Sequence, residues 1–228
     1  MSVAAMIRIP LMTVLLGAAA TITLGSAKQS YANDTFEIYT GYQSAPHSRV
    51  KGTDSDGNAF SFLVGWDGNP FDPPPYYGIR WSRWTGQTGW GIDFTHSKIY
   101  ADDETLAKQG WKILEMTDGL NNLLVHRTHR YYDASSESGY YAGVGLGVVV
   151  PHVEVQTTSD SPKTFGYQYA GPSTGFNLGW RKEPNPEGGF GYFAEYKFTA
   201  SWLDAELKNG GSLETRIFTN AFNVGLIF

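Results

Sequence analysis

The sequence predicts an all-β fold, an eight-stranded antiparallel transmembrane β-barrel of the outer membrane. Three observations lead there. The stretch 139–154 alternates over its first twelve residues, with Tyr140, Ala142, Val144, Leu146, Val148 and Val150 on one face and Tyr141, Gly143, Gly145 and Gly147 on the other. Period-2 patterning of that length marks a strand, long enough to cross a bilayer as a tilted segment of roughly 9–11 residues. Seven further segments repeat the pattern. The composition agrees: 27 glycines, 15% aromatic and only 17% charged residues in 228 suit a membrane barrel better than a soluble enzyme.

The strands follow in order. Residues 36–43 alternate Phe36, Ile38, Thr40 and Tyr42 against Glu37, Tyr39, Gly41 and Gln43. A long connection holds Asp54, Asp56, Gly57, a short extended excursion at 60–66 and three consecutive prolines at 73–75. Strands two and three, 76–84 and 90–98, flank a tight turn with Gly86 and Gly89. The connection 99–118 contains ADDETLAKQGW, enough for one or two helical turns, and leads to a less regular fourth strand, 120–132. Strand five is 139–154. A polar loop at 156–165 precedes strand six, 166–182, and two prolines with two glycines turn the chain at 183–189. Strand seven, 190–202, alternates most cleanly, and Asn209-Gly210-Gly211 leads into strand eight, 213–228.

An even number of strands fits a closed barrel, with short turns after strands two, four and six towards the periplasm and longer connections after one, three and five towards the outside. The face opposite the apolar one carries Glu37, Arg80, Asp93, Arg181, Glu195 and Lys197. Three acids and three bases suit a narrow lumen in which buried charges pair. Trp81, Phe190, Tyr192 and Phe228 at one rim, and Tyr76, Tyr169 and Trp202 at the other, suggest two aromatic girdles.

The chain opens as a secretory signal: Arg8, an apolar run over 11–25, and small residues at Gly25-Ser26-Ala27 and Ser30-Tyr31-Ala32. Residues 1–32 are therefore expected to be removed, by cleavage after Ala27 or Ala32, leaving a barrel over 33–228. The net charge of −5 argues against nucleic acid, and the absence of cysteine excludes thiolate chemistry and disulfides.

Strands one, three and five run outward, and near their outer ends stand His47, His96, and His152 with Glu154. His152 and Glu154 share a strand face about 7 Å apart at Cα. Two imidazoles and a carboxylate can hold a metal with open positions; an interfacial polar pair facing lipid headgroups accounts for His-x-Glu equally simply. Strict alternation turns His96 and Glu154 to the lipid side and Asp93 inward, with Pro46 and Pro151 placed where bulges form. The candidate metal ligands are thus His96, His152 and Glu154, with His47 as fourth ligand or general base and Asp93 and Asp118 as carboxylates that could orient a ligand. Arg49, Arg80 and Lys98 are candidates for binding acidic groups of a substrate. Ser48 and Ser97 each follow a histidine, but neighbouring strand residues point to opposite faces, which counts against an acyl hydrolase. His126 and His129, with Arg127 and Arg130, fall at the periplasmic end and read as a solvated rim. Gly143, Gly145 and Gly147 lie within a strand with no helix following, so they read as lumen packing rather than a dinucleotide loop.

The blocks SAPHSRV (44–50), PPYYGIRW (74–81), GWGIDFTHSKIYA (89–101), MTDGLN (116–121) and GVGLGVVVPHVEV (143–155), with the close TNAFNVGLIF (219–228), together resemble the bacterial lipid A oxidase family. The terminal Phe228 likewise resembles the assembly signature of outer-membrane barrels. The resemblance implies an enzyme that oxidises the reducing-end glucosamine of lipid A to 2-aminogluconate with molecular oxygen, releases hydrogen peroxide and depends on a divalent metal ion. Its partners would be lipopolysaccharide and outer-membrane lipids, and the chain would act as a monomer. Two other readings remain open: a structural or adhesive barrel whose loops, including 54–57 and 99–118, contact partners, and a lipid A deacylase.

Overall fold

A computed structural model of the chain describes residues 33–133, 136–158, 161–185 and 188–228. The expected signal peptide, 1–32, lies outside the described residues. Twelve strands follow one another: β1 (Asn33–Ser44), β2 (Ser48–Thr53), β3 (Ala59–Val64), β4 (Trp66–Asp67), β5 (Tyr77–Thr85), β6 (Thr88–Ala101), β7 (Ile113–Arg130), β8 (Ser138–Gln156), β9 (Thr164–Tyr167), β10 (Gly171–Lys182), β11 (Gly191–Glu206) and β12 (Ser212–Ile227). One short helix, α1 (Asp103–Gln109), joins β6 to β7; Asp102 caps its start and Gly110 its end.

Eight of these strands close a ring, β1-β5-β6-β7-β8-β10-β11-β12, with β12 pairing back to β1. Neighbours run antiparallel throughout. The remaining strands decorate one end: β2 and β3 extend from β12, β4 pairs with β6, and β9 pairs with β8. The sixth segment expected from the sequence is therefore two pieces, since β9 and β10 both follow β8 with an irregular step at 168–170. The expected fourth strand also starts seven residues earlier, at Ile113, because its irregularity is a bulge inside one strand.

The outer wall carries the membrane belt. Val125 on β7, Val144 and Leu146 on β8, and Phe222 and Val224 on β12 are each at least 60% exposed, an apolar surface that belongs in lipid. No described helix is long and apolar enough to cross a membrane. The belt ends at Tyr42, Tyr77, Leu123, Val150 and Phe218; above that level the outward residues become His96, His152, Asp204 and Arg216. Trp202 and Tyr169 sit on this upper edge. Tyr76, expected there too, is instead turned into the interior, 1% exposed.

Within the belt the lumen is filled with charge. Arg80 donates to Glu37 (2.9 Å), Asp93 (3.1 Å) and Glu195 (2.8 Å). Arg181 reaches the other Glu37 oxygen at 2.9 Å, and Lys197 donates to Asp93 at 2.8 Å. The expected set of three acids and three bases is thus paired. The glycine face of β8 admits this network: a side chain at Gly143 would collide with Asn177 and Thr128, and one at Gly147 with the Leu123 backbone. His126, expected at a solvated rim, is buried in the lumen beside Ser82 and Thr128. Arg130 is likewise drawn in, its guanidinium 3.5 Å over the Trp84 ring and bridged to Glu183.

Above the belt the interior changes character. Val50, Val64, Trp66, Ile99, Leu114, Met116, Leu120, Val153, Leu213 and Ile217 form one buried apolar cluster, and Phe60, Leu106 and Trp111 pack against it. The upper part is a small water-facing barrel set on a membrane barrel.

Candidate functional site

Alternation carries β8 past the lipid belt without changing face. His152 and Glu154 continue the outward row of Val144, Leu146 and Val148, yet both are buried. Their cover comes from β9: the His152 ring meets Phe165 at 4.5 Å and Tyr167 at 4.7 Å between centroids, both edge to face. On the other flank stands β7, whose pairing with β8 is regular up to Leu120 and resumes at Glu115. The intervening bulge swings Thr117 and Asp118 to the outer wall. Gly119 makes the bulge possible, with φ of +120° and no room for a side chain, which would meet His96 Nδ1 at 2.6 Å.

The outcome is a compact group of potential metal ligands. One ligand atom from each of Asp118, His152 and Glu154 lies within 4.8 Å of the others. His152 Nδ1 is 3.4 Å from Glu154 Oε1 and 3.7 Å from Asp118 Oδ2, close enough for charge attraction but without a hydrogen bond to either. Thr117 and Lys163 donate to Glu154 at 2.8 and 2.7 Å, and Tyr167 donates to the Asp118 carbonyl at 2.8 Å. Burial opposes ionisation of Glu154, but the Lys163 and Thr117 hydrogen bonds and the Lys163 charge outweigh it and hold its carboxyl below the usual range. Glu115 shows the reverse. Burial, then Glu154 and Asp118, push its carboxyl up. Glu115 and Glu154 are direct cross-strand partners, an arrangement that repels unless a cation sits nearby.

His96 occupies the same outer wall one strand further on, stacked on Tyr77 with centroids 5.1 Å apart. Its Nδ1 lies 2.9 Å from Asn121 Oδ1. The amide oxygen can only accept, so the proton is on Nδ1 and the lone pair on Nε2, which is buried without a partner. His152 Nδ1, unpartnered beside the Asp118 and Glu154 carboxylates, fits a divalent metal, with His96 and Glu115 on the neighbouring strand positions.

The other expected site residues divide. Asp118, expected to orient a ligand, belongs to the ligand set itself, whereas His96 flanks it. Asp93 and Arg80 do not reach the site at all: both face inward, and the ion pairs of the lumen consume them. His47 stands apart on the corner between β1 and β2, next to Gly65 and Asp102, because β2 leaves the ring to pair with β12. Lys98 faces outward like His96, but its Nζ is covered and donates to the Asp72 carbonyl at 2.7 Å. Arg49 is exposed on β2, separate from the cluster. Glu115, Thr117, Lys163 and Tyr167 escaped sequence reading: the fourth strand was expected to begin only at 120, Lys163 fell in the expected loop 156–165, and Tyr167 opened an expected sixth strand whose pairing beside His152 no local pattern shows.

The serines give no acyl-transfer pair on this wall. Ser97 and Ser48 face inward, bonded to the Leu120 carbonyl and to Trp66, away from His96 and His47. Among the described residues the serine–imidazole contact is Ser82 with His126, 3.4 Å apart and sealed in the lumen.

No protein-family model and no curated protein matches the chain. Among solved structures, Neisserial surface protein A is 13% identical with a TM-score of 0.47, covering 86% of this chain and 97% of its own. The outer membrane protein AlkL, solved in lipid bilayers, is 11% identical with a TM-score of 0.43, covering 92% and 97% respectively.

Proposed function

We propose that this barrel is an outer-membrane lipid A oxidase, converting the reducing-end glucosamine of lipid A to 2-aminogluconate with molecular oxygen. The observation that carries the reading is the position of Asp118, His152 and Glu154: on the outer wall, directly above the apolar belt, where the sugar of an outer-leaflet lipid lies. The resemblance of the 89–101 and 143–155 blocks to that family supports the choice of reaction.

Oxidation of the hemiacetal carbon removes its hydrogen and the hydroxyl proton with two electrons. Molecular oxygen takes both electrons and both protons and leaves as hydrogen peroxide. Water then opens the lactone, so the lipid gains one oxygen, roughly 16 Da, provided it carries no phosphate on that carbon. Side chains alone do not perform such oxygen chemistry; a divalent metal held by Asp118, His152 and Glu154 would supply it. His96, with its Nε2 unpartnered one strand away on the same outer wall, would be a further donor. Glu115, whose carboxyl is pushed up by burial and then by Glu154 and Asp118, would be the proton acceptor for the hydroxyl. Phe165 and Tyr167 keep water from the His152 face.

The test is the mass spectrum of lipid A from cells expressing the protein in air. The gain of one oxygen is expected in wild type and should vanish in His152→Ala and in Glu154→Ala, with heat-modifiable barrel still present in the membrane. EDTA should abolish it as well. Oxidation retained in both variants, or insensitive to EDTA, overturns the metal site. No mass change in wild type favours a non-catalytic barrel, and loss of an acyl chain a deacylase.

A further inference from the structure

A second like-charge pair stands on the outer wall at the same level. β2 pairs with β12 through Lys51 opposite Glu214 and Val50 opposite Thr215. Arg49 and Arg216 each lie one residue beyond the last paired positions of that ladder, and both line the same groove. Both arginines face outward and are exposed. Among the described residues neither has a carboxylate within salt-bridge distance, and Arg49 makes a long contact to Ser61 at 3.4 Å. Two unpaired guanidinium groups at the end of one ladder repel each other unless an anion lies between them.

The two arginines border a groove of about 860 Å³ on the wall formed by β10, β11, β12 and β2. Trp202, Tyr169 and Phe218 form its lower, apolar side, where the membrane belt ends. The acids on its border are Glu214, neutralised by Lys51 at 2.7 Å, and Asp204. The groove is therefore cationic above and apolar below, the profile of a single amphiphile entering from the outer leaflet. It shares the corner between β9 and β10 with the carboxylate cluster, Tyr167 facing one and Tyr169 the other. Three strand steps separate β8 from β12, about 14 Å at the usual spacing.

We propose that this groove binds the anionic headgroup of an outer-leaflet lipid, clamping a phosphate or carboxylate between Arg49 and Arg216 with the acyl chains laid down past Trp202 and Phe218. The inference deepens the proposed function, and rests on it for the identity of the natural lipid: a sugar on the Asp118–His152–Glu154 cluster would be held by a second, acidic part of the same headgroup. The choice of an anionic lipid itself rests only on the groove.

The experiment uses the folded, metal-free barrel in neutral detergent, with lipid retention read by native mass spectrometry. Phosphatidic acid and phosphatidylcholine of the same acyl chains are the probes, and inorganic phosphate is the competitor. Wild type should retain phosphatidic acid over phosphatidylcholine by roughly tenfold, and the Arg49→Gln/Arg216→Gln double variant should lose that preference. Retention by wild type should also weaken with added salt. Equal retention of the two lipids by wild type overturns the proposal without recourse to any variant. A preference that survives in the double variant also overturns it. Displacement by inorganic phosphate at concentrations equal to the lipid would assign the groove to a free anion and overturn the lipid assignment. Metal and oxygen play no part in this measurement, so selective retention without lipid A oxidation would sink the oxidase alone.

Discussion

Below the level of Thr95 and Asn122 the barrel is filled with charge; above it, with hydrocarbon. Glu37, Arg80, Asp93, Arg181, Glu195 and Lys197 fill the first region, and Leu114, Met116, Val153, Leu213 and Ile217 the second. Apart from the irregularities in β6 and β7, the strands run through both without altering their alternation, so what inverts is the solvent outside. Where lipid surrounds the wall, the outward positions are apolar and the polar groups are gathered inward, where every charge must find a partner. Where water surrounds it, burying the inward apolar face provides the driving force and the outward face is free to carry polar groups. The carboxylate cluster and the cationic groove both lie on the outer wall where the two regimes meet. Only there can polar side chains face outward and still touch a lipid headgroup.

The largest effect should come from breaking the charged half. Arg80 is the hub that three carboxylates share, and Arg80→Ala leaves part of that negative charge uncompensated in a sealed lumen. Removing one partner of a buried ion pair typically costs about 3–5 kcal/mol, and this arginine serves three. Urea unfolding in detergent should show the loss as a lower midpoint, or heat-modifiable barrel should fail to accumulate. A wild-type midpoint in Arg80→Ala would mean that the lumen charges do not hold the lower barrel together.

The apolar half should respond locally. Leu213 is fully buried on β12 at the point where β2 and β3 depart from the ring. Leu213→Ala removes apolar contacts and leaves a cavity, at about 2–5 kcal/mol. The membrane-embedded strands lie below it, so the damage should appear as protease cleavage within 45–76 while heat-modifiable migration persists. Simultaneous loss of both would show that the two halves unfold as one unit.

How far the sequence spoke follows from the same contrast. Alternation over 139–150 told both faces of β8, placed Glu154 and His96 outward and Asp93 inward, and identified the lumen charges. It could not tell where lipid gives way to water, because Val153 and Val155 alternate as Val148 and Val150 do. The apolar upper core was therefore invisible, and Arg80 and Asp93 were assigned to a site from which they are walled off. Asp118 was undervalued for another reason. A bulge over the four residues 116–119 hides its facing, and only the paired register of β7 and β8 reveals that Gly119 turns it beside His152. His47 was misplaced because β2 abandons β1 for β12, a long-range pairing that no local pattern encodes.

The smallest effect concerns the boundary itself. Lys163 donates to Glu154 at 2.7 Å but is itself 37% exposed, so water screens the pair and its worth to stability should be below about 1 kcal/mol. Its effect on protonation is more visible. The folded Glu154 carboxyl lies below its ordinary value, so its stabilisation is present above the ordinary glutamate range and disappears as pH falls through the depressed value. Lys163→Ala removes the leading influence that holds it down and leaves burial opposed chiefly by Thr117 and His152. The carboxyl should then protonate at a higher pH. Metal ligation needs the carboxylate, so the acid limb of Co²⁺ binding, followed by visible absorption, should move upward in pH while the unfolding midpoint barely changes. An acid limb that stays in place would show that Glu154 does not ligate the ion. A large fall in the midpoint would show that the Lys163 bridge is structural, in the manner of the lumen pairs, and would move the boundary between the two regimes above the cluster.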